Sequence, residues 1–123
     1  MDNLHFLDWE ELLILHDRQL ALYGGQQGFI DENTVRSVMA RAQFSSQYQP
    51  DADLADLAAD YMYGFATTQG FSDGNKRTAV VAAERFLAKN GWRTILTSKL
   101  MYLVAISVAR SELDRDGLAG HRA

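Results

Sequence analysis

"DLADLAADYMYGFATTQGFSDGNKRTAVVAAERFLAKNGW", Asp53 to Trp92, is the stretch on which the fold turns. Leu54, Leu57, Ala58, Tyr61 and Phe65 recur at three- and four-residue spacing, the period of one helix face, which predicts a helix from about Asp53 to Thr68. Gln69-Gly70 ends it. A second helix is expected from Asn75 to Lys89, closed by Asn90-Gly91, with Ala79, Ala82, Ala83 and Phe86 turned inward. Those inward residues are mostly small and permit close helix approach, so this second helix is expected at the centre of a bundle.

The flanks repeat the pattern. In "DWEELLILHDRQLALYGG" Asp8 is a plausible N-cap with Glu11 three residues on. Trp9, Leu12, Leu13, His16, Leu20 and Tyr23 share one face, and Gly24-Gly25 stops the helix. His16, on an apolar face, reads as a satisfied core histidine. "GQQGFIDENTVRSVMARAQ" reads as a loop followed by a short helix capped at Asp31, with Val35, Val38, Met39 and Ala42 inward. "FSSQYQPDAD" is polar and carries the chain's one proline, Pro50, so it is expected to be a connecting loop and a candidate rim over a site. Beyond Trp92, "WRTILTS" suggests a short extended piece and Ser98 caps a fifth helix bearing Leu100, Leu103, Val104, Ser107 and Val108. A last segment capped at Ser111 is expected to fray at Gly117 and Gly120. The expectation is an all-α, single-domain bundle of five to six helices over residues 1–123.

Composition narrows the class. With 123 residues, 47% hydrophobic and 23% charged, the chain has the balance of one globular domain. A net charge of −4 and a pI near 5.2 give no electrostatic case for direct nucleic-acid binding. There is no cysteine, which excludes disulfides, thiolate metal sites and a thiol nucleophile. The acidic start "MDNLHFLDWEELL" has no basic leader pattern, and no apolar run approaches the ~20 residues that span a bilayer. A cytoplasmic location is the default expectation.

One local feature runs against helix electrostatics. Lys76 and Arg77 stand in the first turn of the helix expected from Asn75, where the dipole is already positive and carboxylates are preferred. A bound anion would explain them: the turn "FSDGN" offers backbone N–H groups, Gly74 permits close approach, and a guanidinium can fork onto phosphoryl oxygens. Asp73 beside a phosphate then calls for a cation between them, as in Mg²⁺–nucleotide sites. An ordinary solvated helix start, capped by Asp73 or Asn75, remains the alternative at this level. A Walker A loop is excluded, because no G-K-[S/T] is present and a helix precedes the turn.

In context, Phe71 to Ala79, "FSDGNKRTA", resembles the signature of the Fic/Doc family, H-x-F-x-D/E-A/G-N-K/G-R, with the lysine of the Doc (death on curing) type. "LHDRQLALYGG", "DENTVRSVMAR" and "FLAKNGW" are also similar to small Doc toxins, so the resemblance covers nearly the whole chain. It implies a helical toxin of a toxin–antitoxin pair, using ATP and Mg²⁺ to transfer a γ-phosphoryl group to a threonine of elongation factor Tu and so arrest translation. It implies a protein antitoxin partner, whose C-terminal segment often folds onto the toxin. By the same resemblance Asp73 holds Mg²⁺, Gly74 and Asn75 form the phosphate-binding turn, Lys76 and Arg77 contact phosphates, and Phe71 anchors the loop. Family members that transfer AMP instead carry glycine where Lys76 stands and a second arginine where Val80 stands, so both positions favour phosphoryl transfer.

One position departs from the pattern. The family motif opens with the histidine proposed as general base, and here that position is Gln69. An imidazole exchanges protons near neutrality, whereas an amide accepts none at useful pH, and loss of a general base typically costs ~10²–10⁴ in rate. Three accounts stand open: a substitution that disarms the toxin, a natural relative that binds nucleotide or partner without chemistry, or proton transfer by another group such as His16.

Overall fold

The computed structural model describes residues 4–92 together with Met101, Val104 and Ala105. Four helices follow one another: α1 (Trp9–Tyr23), α2 (Glu32–Tyr48), α3 (Leu54–Thr67) and α4 (Asn75–Lys89). The all-α expectation holds, with four helices among the described residues against the five to six expected. The extended piece, the fifth helix and the segment capped at Ser111 lie outside the described residues, apart from those three helical positions, of which Met101 and Ala105 join the core.

Helix α1 starts where Asp8 accepts the Glu11 N–H at 2.7 Å, satisfying one of the unpaired donors of a helix start. The Glu11 carboxylate does not complete a capping box. It bonds instead to Arg85 Nε at 2.7 Å and Lys89 Nζ at 2.8 Å, tying α1 to α4. Leu12, His16 and Leu20 are buried, and α1 ends at Gly24, whose positive φ of 80° suits a glycine stop.

Helix α2 is capped by Asp31, as expected, but runs on to Tyr48. "FSSQY", read as loop from its polarity, forms its last turns. Serine and glutamine are tolerated in a helix, and the break comes only at Gln49, φ −124° and ψ 84°, because the residue before a proline is disfavoured in the α region. The connecting loop shrinks to 49–53. None of its residues lines the cavity described below, so the expected rim over the site is not there.

Helix α3 is closed at its start by a reciprocal pair, Asp53 accepting from the Asp56 N–H and Asp56 from the Asp53 N–H. Ten of its fourteen residues are buried, against six of fifteen in α4, so the central helix is α3 and not α4. The small stripe on α4 serves to seat it against α3. On the other side, Gly64 lets α2 approach, since a Cβ there would lie 2.6 Å from Val38 Cγ1. The N-terminal segment straps this core: the Leu7 N–H donates to Tyr61 Oη at 3.2 Å and Lys89 Nζ to the Phe6 carbonyl at 3.0 Å. Burial pushes the Tyr61 phenol up to about 12, against a smaller opposing effect of that backbone bond, and keeps it neutral in the core.

Candidate functional site

The turn between α3 and α4 is held by the segment that leads into α2. The Gly70 carbonyl accepts from Ile30 N–H at 2.8 Å and Asp31 N–H at 3.0 Å, and the Ser72 N–H donates to the Gly28 carbonyl at 2.9 Å. Phe29 and Phe71 form an isolated antiparallel bridge within this contact. Gly70 is pressed against Val35, whose Cγ2 would overlap an added Cβ, so the turn lies closer to α2 than any side chain at 70 permits.

Phe71 is the buried anchor, 1% exposed, with the His16 ring stacked on it at 3.7 Å between centroids and Phe29 at 5.3 Å. The Asn75 side chain turns back on the same residue, its Oδ1 accepting the Phe71 N–H at 3.1 Å and its Nδ2 donating to the Phe71 carbonyl at 2.9 Å. That side chain shapes the loop, so what Asn75 presents to a ligand at the head of α4 is its backbone. Gly74 makes the final bend in the left-handed region, φ 82° and ψ 15°, and no side chain among the described residues caps α4. The cap by Asp73 or Asn75 that the sequence left open does not form: Asp73 bonds to the Gln26 N–H and Asn75 turns back on Phe71.

A cavity of about 470 Å³ opens at this helix start, within the size range of small-molecule sites. Gln69, Asp73, Gly74, Asn75, Lys76 and Arg77 all line it. Gln69, Asp73 and Lys76 are exposed to it, and Arg77 is half-buried. One Asp73 oxygen, Oδ2, accepts the Gln26 N–H at 2.6 Å, which fixes the carboxylate against the turn after α1. Gly25 makes that contact possible, because a Cβ there would lie 2.9 Å from the Asp73 Cβ.

Sequence periodicity missed several wall residues. Tyr23 was expected in the core face of α1, yet it is 60% exposed on the cavity wall, with the Arg77 guanidinium 3.6 Å from its ring centroid. Gln19, Gly25, Thr68 and Ser72 also contribute. The signal available for this wall was the paired Gly24-Gly25, since one glycine suffices to stop a helix. His16 is 3% exposed and bonded through Nε2 to the Asp73 carbonyl at 2.8 Å. A carbonyl only accepts, so Nε2 carries the proton, and this nitrogen is not available as a base.

The charges around the opening are two cations and one carboxylate at the positive end of a helix. Among the described residues no three His, Cys, Asp or Glu side chains gather to hold a metal by protein ligands alone. A divalent cation beside Asp73 would take most of its oxygens from a ligand or water, the arrangement Mg²⁺ favours with nucleotides. No helix of the described residues is long and apolar enough to cross a membrane.

Comparison with known proteins agrees with this architecture. Residues 6–87, which contain nearly all of α1 through α4, match the pattern of the Fic/DOC family. Over 110 residues the chain is 33% identical to "Protein kinase doc" of Escherichia phage P1, covering 89% of this chain and 86% of that protein.

Proposed function

The chain belongs to the Fic/Doc family, and from that premise we propose that it is a Doc-like toxin built to move the γ-phosphoryl group of ATP to a protein hydroxyl, with its proton-accepting position occupied by Gln69. The observation that carries this reading is the convergence of Gln69, Asp73, Gly74, Asn75, Lys76 and Arg77 on one cavity at a helix start without a side-chain cap. Backbone N–H groups at the head of α4 bind phosphate oxygens, and Lys76 and Arg77 neutralise the charge that spreads over them. Asp73, whose Oδ2 accepts the Gln26 N–H, would hold Mg²⁺, and the ion would supply charge neutralisation and orientation of the phosphates when bound. Phosphoryl transfer depends mainly on such positioning and charge stabilisation, so an amide at 69 lowers the rate without dismantling the site. Gln69 can donate a hydrogen bond to the attacking oxygen or accept one from it, but it cannot take the proton away.

The acceptor by family resemblance is a threonine of elongation factor Tu, and the regulating partner is a protein antitoxin. Lys76 and Val80 stand where AMP-transferring relatives carry glycine and arginine, which favours phosphoryl over AMP transfer. The test compares this chain with Gln69→His, each incubated with Mg²⁺–ATP and elongation factor Tu, by intact mass of the factor. A phosphoryl addition at least about a hundredfold faster with the histidine form is expected. Addition of AMP would move the protein to the adenylylating branch, and no modification by either form, beside an active Doc control, would leave a nucleotide- or antitoxin-binding relative.

A further inference from the structure

His16 belongs to α1, far in sequence from the motif, and ordinary reasoning files it under core packing. Its contacts say more. The ring lies flat on Phe71, 3.7 Å between centroids and 10° between planes. Its Nε2–H donates to the Asp73 carbonyl at 2.8 Å. An added Cβ on Gly74 would sit 3.5 Å from both His16 Cδ2 and Nε2, so the imidazole edge also lies directly beneath the left-handed bend. One side chain thus touches three consecutive features of the turn: its anchor, the peptide that carries the exposed carboxylate, and the glycine from which α4 departs.

We propose that His16 is a positioning residue of this site, holding the Asp73–Gly74 peptide and with it the angle at which the Asp73 carboxylate is set against the start of α4. The consequence for nucleotide rests on the phosphoryl-transfer reading above; the positioning itself does not. The Asp73–Gly74 peptide has few other restraints. Asp73 is exposed, the Gln26 N–H holds its carboxylate rather than its backbone, and the bond from the Thr78 N–H to the Gly74 carbonyl at 2.9 Å fixes the peptide after Gly74, not the one before it. Without the Nε2–H bond, the Asp73–Gly74 peptide plane can rotate, turning its carbonyl toward solvent and changing the angle of the Asp73 carboxylate, while α4 itself stays tied through the Thr78 N–H to the Gly74 carbonyl at 2.9 Å. A leucine at 16 fills similar space but offers no donor. A glutamine places its Nε2 the same number of bonds from Cα as histidine does and restores the donor, though not the ring stack.

The experiment has two arms. In the first, nitrogen–proton NMR of the unmodified chain reads the His16 tautomer, and amide exchange of residues 71–76 is compared in His16→Leu and His16→Gln. The proton is expected on Nε2, with exchange in the turn about tenfold faster in His16→Leu and near the parent in His16→Gln. An Nε2 without a proton overturns the proposal even if His16→Leu fails to fold. In the second arm, Mg²⁺–ATP affinity is measured for the same proteins, with unfolding checked in parallel. The Leu variant is expected to bind about tenfold more weakly and the Gln variant within about threefold of the parent. A folded Leu variant with unchanged exchange and affinity overturns the proposal. If the unmodified chain does not bind Mg²⁺–ATP, the phosphoryl-transfer reading falls and the first arm alone decides the role of His16.

Discussion

Arg77 shows how a neighbouring ring bears on the site. Its guanidinium lies over the Tyr23 ring at 3.6 Å, and the ring belongs to a residue that is 60% exposed. An exposed cation–π contact is worth ~0.5–1 kcal/mol, and here it favours one orientation of a long side chain at the cavity wall. Tyr23→Ala should therefore weaken Mg²⁺–ATP binding by roughly three- to fivefold with unfolding unchanged, while Tyr23→Phe, which keeps the ring face, should match the parent. Titration calorimetry beside thermal unfolding checks both; equal affinity in the alanine variant would mean that the stack does not orient Arg77. At this scale the motif itself was legible, because its chemistry is local: a glycine bend, two cations and a carboxylate within five residues. Tyr23 was not, because a 3.6-residue period says which side of a helix a residue occupies and nothing of what ends beside it. Asn75 was legible as part of the turn, but its side-chain partners on Phe71 required the loop's actual path.

Among the elements, two caps could be read directly, since Asp8 and Asp31 cap the helices that follow them; Asp53, expected as the first residue of its helix, is instead the cap before it. The end of α2 could not, because polarity was weighed above the pre-proline restriction at Gln49. Helix pairing was also hidden. Gly64 in the interior of α3 costs about 1 kcal/mol of helix propensity relative to alanine, and it is tolerated because Val38 occupies the space a methyl would need. Gly64→Ala should destabilise by roughly 1–2 kcal/mol despite that propensity gain, and Val38→Ala in the same chain should recover part of the loss. Urea unfolding of the two single variants and the double variant measures the coupling. The α1–α4 tie carries a pH signature. Burial works to raise the Glu11 carboxyl, but hydrogen bonds from Lys89 and Arg85 outweigh it and hold it below the usual carboxylate value. A depressed folded-state value means stability that is present above the unfolded pKa and lost as pH falls through the folded one. Glu11→Gln should therefore cost about 1 kcal/mol at pH 7, with the gap to the parent closing in acid. A gap that does not narrow as pH falls would assign Glu11 to packing instead of charge.

Over the whole molecule, the cavity walls come from α1, the turn after it, the end of α3 and the start of α4, with segment 28–31 clamping the turn from behind. This is why local chemistry was readable while the enclosure was not: the sequence places Asp73, Gly74, Asn75, Lys76 and Arg77 together, but only packing brings Gln19, Tyr23 and Gly25 to them. No part of that enclosure persists in an unfolded chain, so a ligand of this site binds the folded state alone. Mass action then makes binding visible as stability: at a ligand concentration of 100 Kd the folded state gains ~2.7 kcal/mol, about 10 °C in Tm for a chain of this size. Mg²⁺–ATP should produce that shift in this protein even with Gln69 in place, because an amide at 69 removes a proton acceptor and leaves the phosphate contacts standing. Asp73→Asn should lose most of the shift produced with Mg²⁺ present and little of any shift produced by ATP in chelator, since the carboxylate is assigned to the cation and α4 to the phosphates. Differential scanning fluorimetry across those four conditions separates the two assignments. Equal shifts for parent and Asp73→Asn in Mg²⁺ would show that the ion, if it binds, is held by something other than Asp73.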